Sequence, residues 1–169
     1  MTSIPGKKIV IFGAGGAARA IAVEMALAEA EEITILNVSE RGKSLADLLN
    51  NRTPAKASFR PWNRTFSIPS DTDIVINATP VGLYPDIEQR LNIRVDTLRP
   101  QMIVADCIPN PVYTHLLKDA LANGCKQILP GMNMLIYQAM IAIKYWTGKD
   151  VDTDIMKQEL MRVLGLLKQ

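Results

Sequence analysis

The hexapeptide Gly13-Ala14-Gly15-Gly16-Ala17-Ala18 has the residue types and spacing best suited to chemistry in this chain. It fits the G-x-G-x-x-[GA] pattern of a turn that presents backbone N–H groups to a pyrophosphate. Gly13 permits a tight turn and Gly15 lets the main chain approach the phosphates. Gly16 and Ala17 then open a helix whose free N–H groups and partial positive charge face an anion. Small Ala18 lets that helix lie close to the preceding strand. The pattern implies a dinucleotide ligand.

A dinucleotide site needs a second contact region at the tip of the next strand, where an acid ordinarily holds the ribose diol of NAD. That place falls at Asn37, which cannot accept two hydrogen bonds as a carboxylate does. Val38, Ser39, Glu40, Arg41 and Lys43 follow. Arg41 and Lys43 are either a solvated helix start or partners for an adenosine 2′-phosphate. The loop leans towards NADP and leaves NAD open.

Other reactive types are few. Cys107 and Cys125 are the two cysteines and His115 is the one histidine, with no CxxC or HxxxH spacing. A structural zinc site or a disulfide framework is therefore not expected. His115 is the one side chain whose ordinary pKa lies near neutrality. It follows Thr114 at a helix start and is expected near the surface. Neither a catalytic residue nor a metal ligand is assigned.

The elements that position these residues are short apolar strands alternating with helices. Strands are expected at 7–12, 32–36, 55–62, 73–78, 102–106 and 127–129, and helices at 17–30, 39–50 and 113–122. Ser39 is the expected N-cap of the second helix. From Gly131 the chain reads as two helices broken at Thr147-Gly148. This order implies an α/β fold, a Rossmann-like doubly wound parallel sheet of about six strands with two C-terminal helices. At 169 residues the chain suits a single domain with its own core, over 1–169. A net charge of +2 gives no electrostatic footprint for nucleic acid or a membrane surface. The apolar run 132–146 is too short to span a bilayer. Met1 to Lys8 lead straight into a strand, so no signal peptide and a cytoplasmic location are expected.

Three more strings occur in order after the glycine turn. They are Asn77-Ala78-Thr79-Pro80-Val81-Gly82, Asp106-Cys107-Ile108-Pro109-Asn110-Pro111-Val112-Tyr113-Thr114, and Gly131-Met132-Asn133-Met134-Leu135-Ile136-Tyr137-Gln138 with Trp146-Thr147-Gly148. Together the four resemble the nucleotide-binding domain of the shikimate/quinate dehydrogenase family, from about Gly6 to the C-terminus. The resemblance implies an NADP-dependent oxidoreductase of the shikimate pathway of aromatic amino acid biosynthesis, acting on shikimate or quinate. It implies that Gly13, Ala14, Gly15, Gly16 and Ala17 hold the pyrophosphate. Asn37, Val38, Ser39 and Arg41 would face the adenosine ribose or its phosphate. Thr79, Pro80, Cys107 and Gly131 would line the nicotinamide end with Met134 nearby, and Gln138 would reach a substrate hydroxyl. Read as a residue, Cys107 is a small buried apolar group rather than a reactive thiol. Gln138 stands out as an amide on an apolar helix, where burial would demand partners.

Three departures from the family matter. Pro109 stands where Tyr usually precedes Asn-Pro, which bears on the substrate, and Val38 stands where NADP-using members have Arg. Only twelve residues precede Gly13, where the family places a substrate domain carrying the Lys and Asp that move the proton. The chain alone is therefore expected to bind cofactor and to be inactive. A free-standing, non-catalytic nucleotide-binding module is the alternative. The apolar stripe Ile155, Met156, Leu160, Val163, Leu164 and Leu167 predicts a homo-oligomer or a domain partner at the C-terminal helices.

Overall fold

A computed structural model describes residues 3–166 of the chain. Six strands form one sheet: β1 (Lys8–Phe12), β2 (Glu32–Asn37), β3 (Lys56–Pro61), β4 (Ile74–Asn77), β5 (Ile103–Asp106) and β6 (Gln127–Leu129). Their order is β3-β2-β1-β4-β5-β6 and every neighbouring pair is parallel. The helices are α1 (Gly16–Leu27), α2 (Arg41–Arg52), α3 (His115–Ala122), α4 (Gly131–Thr147) and α5 (Thr153–Val163). This is the expected Rossmann-like α/β architecture.

The apolar run at β1 lacks alternation because both of its faces are buried. Ile9 and Ile11 pack with Ala18, Ala22 and Ala26 of α1 on one side of the sheet. Val10 and Phe12 pack with Val75, Val104 and Leu117 on the other. Alanines four residues apart give α1 a flat face, so its axis lies close over the strands. Leu117 is fully buried, and its truncation to Ala would cost about 2–5 kcal/mol.

The element ends differ from expectation for local reasons. The chain leaves α1 at Ala28 and turns through Glu29 at φ +65°, three residues early. Ser39 is not the N-cap of α2; Glu40 holds that place without a side-chain cap bond. The Ser39 hydroxyl instead accepts from the Asn37 amide at 2.9 Å. Gly42 then fixes where α2 meets the sheet, since a Cβ there would lie 2.5 Å from the Phe59 ring. Tyr113 stays outside α3, whose N-cap is Thr114.

Gly148, at φ +72°, ends α4, and Asp152 caps the start of α5. Only Gly131, Met132 and Ile136 of α4 are buried, and no residue of α5 is. Of the expected stripe, Ile155 and Val163 are exposed and Met156, Leu160 and Leu164 half-buried; Leu167 lies outside the described residues. Among the described residues, no helix is long and apolar enough to cross a membrane.

Candidate functional site

The chain order reverses at β1, which lies between β2 and β4. Parallel α/β sheets bind ligands in the crevice that such a reversal opens at the carboxyl ends of the strands. Every cofactor- or substrate-contact residue named from the sequence lies at or after one of those ends: Phe12, Asn37, Asn77, Asp106 or Leu129.

Gly13 sits at the crevice. Its N–H donates to Leu36 O at 2.8 Å, and Ala78 N–H donates to Phe12 O at 2.8 Å, so the turn is held from both neighbouring strands. Its φ is +107°, and a Cβ there would lie 2.7 Å from Ala78 O. Only glycine fits. Gly15 and Gly16 differ, because a Cβ on either would meet nothing within 4 Å. The α1 N-terminus has no side-chain cap and no acid in its first turn. Open space above uncapped N–H groups is what a pyrophosphate requires, so these residues fit the group.

At the tip of β2 the Asn37 amide donates to Ser39 O at 3.0 Å and to Ser39 Oγ. Its donors are thus engaged within the loop. Val38 projects into solvent at 81% exposure. Arg41 and Lys43 are exposed, and no ion pair among the described residues engages them.

The ends of β4 and β5 are joined by a buried polar network. Asn77 Oδ1 accepts from Thr79 N–H at 3.0 Å and from the Thr79 hydroxyl at 2.7 Å. Asn77 Nδ2 donates to Asp106 Oδ1 at 3.1 Å. Ile108 N–H donates to the same oxygen at 3.0 Å, and the Thr114 hydroxyl donates to Asp106 Oδ2 at 2.7 Å. Burial pushes the Asp106 carboxyl above its ordinary value, against these three donors. Asn77, Asp106 and Thr114 carried no role in the sequence reading. The available signal was an acid ending an apolar strand, which must be satisfied if buried.

Cys107 is half-buried rather than buried, and burial followed by the Asp106 charge raises its thiol pKa to about 11. It is a thiol, not a thiolate, at neutral pH. Gly131 presses against it, since a Cβ there would run into the Cys107 carbonyl carbon. Thr79 is half-buried and Pro80 exposed, and Met134 is 42% exposed. Gln138 is exposed, so the premise of a buried amide does not hold. The side chain is exposed on α4, whose buried positions are Gly131, Met132 and Ile136. An apolar groove of about 530 Å³ runs between α1 and α4 over the sheet, lined by Ile21, Met25, Ile76, Met134 and Tyr137 among others. His115 is half-buried, with Nε2 3.1 Å from Glu88 Oε2. Among the described residues no cluster of His, Cys, Asp or Glu has metal-ligating geometry.

Comparison with known proteins follows the same line. The family described as "Shikimate 5'-dehydrogenase C-terminal domain" matches residues 131–161. The shikimate dehydrogenase (NADP(+)) of Methanocaldococcus jannaschii is 39% identical over 160 residues, covering 92% of this chain and 55% of that protein. The crystal structure of ligand-free 5-ketofructose reductase from Gluconobacter sp. strain CHM43 is 44% identical with a TM-score of 0.89. It covers 96% of this chain and 58% of that one. Shikimate 5-dehydrogenase from Listeria monocytogenes, solved with shikimate and NAD, is 34% identical with a TM-score of 0.82. It covers 93% of this chain and 56% of that one. The chain spans just over half the length of the curated relatives it matches.

Proposed function

Since this chain corresponds to the C-terminal domain of the shikimate dehydrogenase family, we propose that it is the cofactor half of an NAD(P)-dependent oxidoreductase. The observation that carries this reading is the glycine turn at the sheet's reversal, with open space at Gly15 and Gly16 over an uncapped helix start. Gly13 to Ala17 hold the pyrophosphate and the 37–41 loop meets the adenosine end. Thr79, Pro80, Cys107, Gly131 and Met134 border the nicotinamide. When bound, the cofactor supplies or accepts a hydride. NADP is favoured over NAD, because the tip of β2 lacks an acid and Arg41 is unpaired among the described residues.

The reaction is the reversible reduction of a ring ketone, 3-dehydroshikimate or 3-dehydroquinate, to the secondary alcohol. Such a step needs a proton donor at the ketone oxygen. Among the described residues the crevice offers none suited to it. Cys107, its thiol raised to about 11, is a weak acid, Asp106 is buried among donors, and His115 is engaged by Glu88. The proton groups therefore belong to the region of the relatives that this chain does not span, and the chain alone is inactive. Exposed Gln138 supports a contact from this domain to a substrate hydroxyl. A second reading of the substrate is an open-chain or sugar polyhydroxy ketone. The 44% identity to 5-ketofructose reductase and the loss of a tyrosyl hydroxyl at Pro109 favour it.

Exposed apolar side chains support a docking role for α4 and α5. Tyr145 is 89% exposed, Trp146 79% and Val163 68%. With the α1–α4 groove they form the face that meets the catalytic domain, or a second copy where that domain is missing. The setting is cytoplasmic.

Calorimetric titration of the 169-residue chain with NADP+, NADPH and NAD+ tests the reading. Binding in the micromolar to millimolar range is expected, with no turnover of shikimate or quinate. Absence of heat with all three cofactors overturns the cofactor role, and turnover by the purified chain overturns the need for a second domain. A catalytic domain supplied separately restores activity if the chain is an enzyme half and not a free-standing nucleotide module.

A further inference from the structure

We infer that Asp106 is a fixed negative charge beneath the nicotinamide end, which makes this domain bind the oxidised cofactor more tightly than the reduced one. The inference rests on the cofactor reading above. Its own basis is the chemistry of one buried carboxylate.

Asp106 is 3% exposed, yet each of its hydrogen bonds comes from a donor. Asn77 Nδ2 and Ile108 N–H reach Oδ1, at 3.1 and 3.0 Å, and neither group can accept a proton from it. The Thr114 oxygen accepts from Leu117 N–H at 3.4 Å, and its hydroxyl donates to Asp106 Oδ2 at 2.7 Å. A proton on Oδ2 would turn the Thr114 oxygen into its acceptor and take from the buried Thr114 hydrogen the one acceptor it has here, so this donor set favours the anion. Burial works against ionisation and leaves the carboxyl above its ordinary value, while the three converging donors pull it back only in part. No salt bridge among the described residues includes Asp106, so no cation neutralises it.

The charge also sits in a particular place. Through Asn77 it is tied to Thr79, and through Thr114 to the start of α3. The 79–82 loop and the 107–113 loop both emerge above it at the carboxyl edge of the sheet. Cys107 is next along the chain. The oxidised nicotinamide ring bears a positive charge and the reduced ring does not, while the rest of the cofactor is unchanged. A buried anion with no counter-ion therefore separates the two forms by Coulomb attraction, which water damps little at this depth. A loop pin without charge would treat both forms alike.

The test is calorimetric titration of the 169-residue chain, wild type and Asp106→Asn, with NADP+ and with NADPH. Asn is isosteric, and its oxygen can keep the Asn77 and Ile108 bonds while its amide faces the Thr114 oxygen. The wild type is expected to bind NADP+ the more tightly. Asp106→Asn is expected to shrink that ratio by about three- to tenfold, mainly by weakening NADP+. Thr114→Val serves as the comparison. It removes a hydrogen bond but not the charge, so both forms weaken together and the ratio stays. Equal weakening of both forms in Asp106→Asn reduces Asp106 to a loop pin and overturns the inference while the cofactor reading stands. If Asp106→Asn does not fold, the wild-type ratio decides, and NADP+ bound no more tightly than NADPH overturns it. Binding of neither form by the wild type overturns the cofactor reading and the inference with it.

Discussion

Two neighbouring glycines of the same turn should respond to substitution in opposite ways, because one is confined by the protein and the other is open to the ligand. Gly13 has φ +107°, and a Cβ there would lie 2.7 Å from Ala78 O and 3.0 Å from Ala78 C. Gly13→Ala incurs a positive-φ strain of about 1–2 kcal/mol and an overpacking cost of about 1–3 kcal/mol. The sum, about 2–5 kcal/mol, lowers Tm by roughly 4–20 °C for a domain of this size. Gly15 has φ −79° and ψ −167°, which any residue adopts, and its Cβ direction is empty to 4 Å. Gly15→Val costs about 1 kcal/mol or less as a poorer N-cap. Its isopropyl group occupies the space where a pyrophosphate would approach the first N–H groups of α1. Each charge-assisted hydrogen bond lost there is worth about 1.5–3 kcal/mol, or roughly ten- to a hundredfold in affinity. Differential scanning calorimetry and titration with NADP+ therefore give a crossed result: Gly13→Ala melts early, while Gly15→Val melts near wild type and no longer binds. A Gly15→Val chain that binds like wild type would place the pyrophosphate elsewhere. A Gly13→Ala chain that melts with wild type would refute the close approach to Ala78.

Four further outcomes follow. Val38→Arg should tighten NADP+ over NAD+ by roughly ten- to a hundredfold without a change in Tm, since Val38 is 81% exposed; an unchanged ratio in paired titrations removes the adenosine phosphate from this loop. Cys107, with a thiol pKa of about 11, should alkylate with iodoacetamide at pH 8 on the order of a hundredfold more slowly than a free thiol. Burial alone would raise the Asp73 carboxyl, but Lys7 Nζ at 2.8 Å and Lys8 N–H at 2.9 Å hold it below 3.8. Its stabilisation should thus be complete above that value and be lost as pH falls through the lower folded one, and Asp73→Asn should flatten the acid limb of the stability curve. Ile155→Glu with Val163→Glu should reduce self-association seen by light scattering and leave Tm within a few degrees, because neither side chain is buried.

The alternation of short apolar runs with helices was enough to place all six strands and the parallel sheet, because a strand buried on both faces has no polar alternation to hide it. The glycine turn was equally legible, since its demands for positive φ and for empty space fall on residue types that a sequence displays directly. The Thr147-Gly148 break was legible for the same reason. What the residues alone did not settle was exposure and partnership. Gln138 reads as a buried amide on an apolar helix, yet α4 buries only its first turns against the sheet and leaves that face in solvent. Ser39 reads as a cap, but Asn37, two residues earlier, takes its oxygen first. Asn77, Asp106 and Thr114 are scattered over 38 positions and become one network only when β4 and β5 pair in register, Asn77 opposite Asp106. Residue types and spacing encode local backbone needs; which polar groups meet, and which apolar faces stay bare, depends on long-range pairing that no local pattern contains.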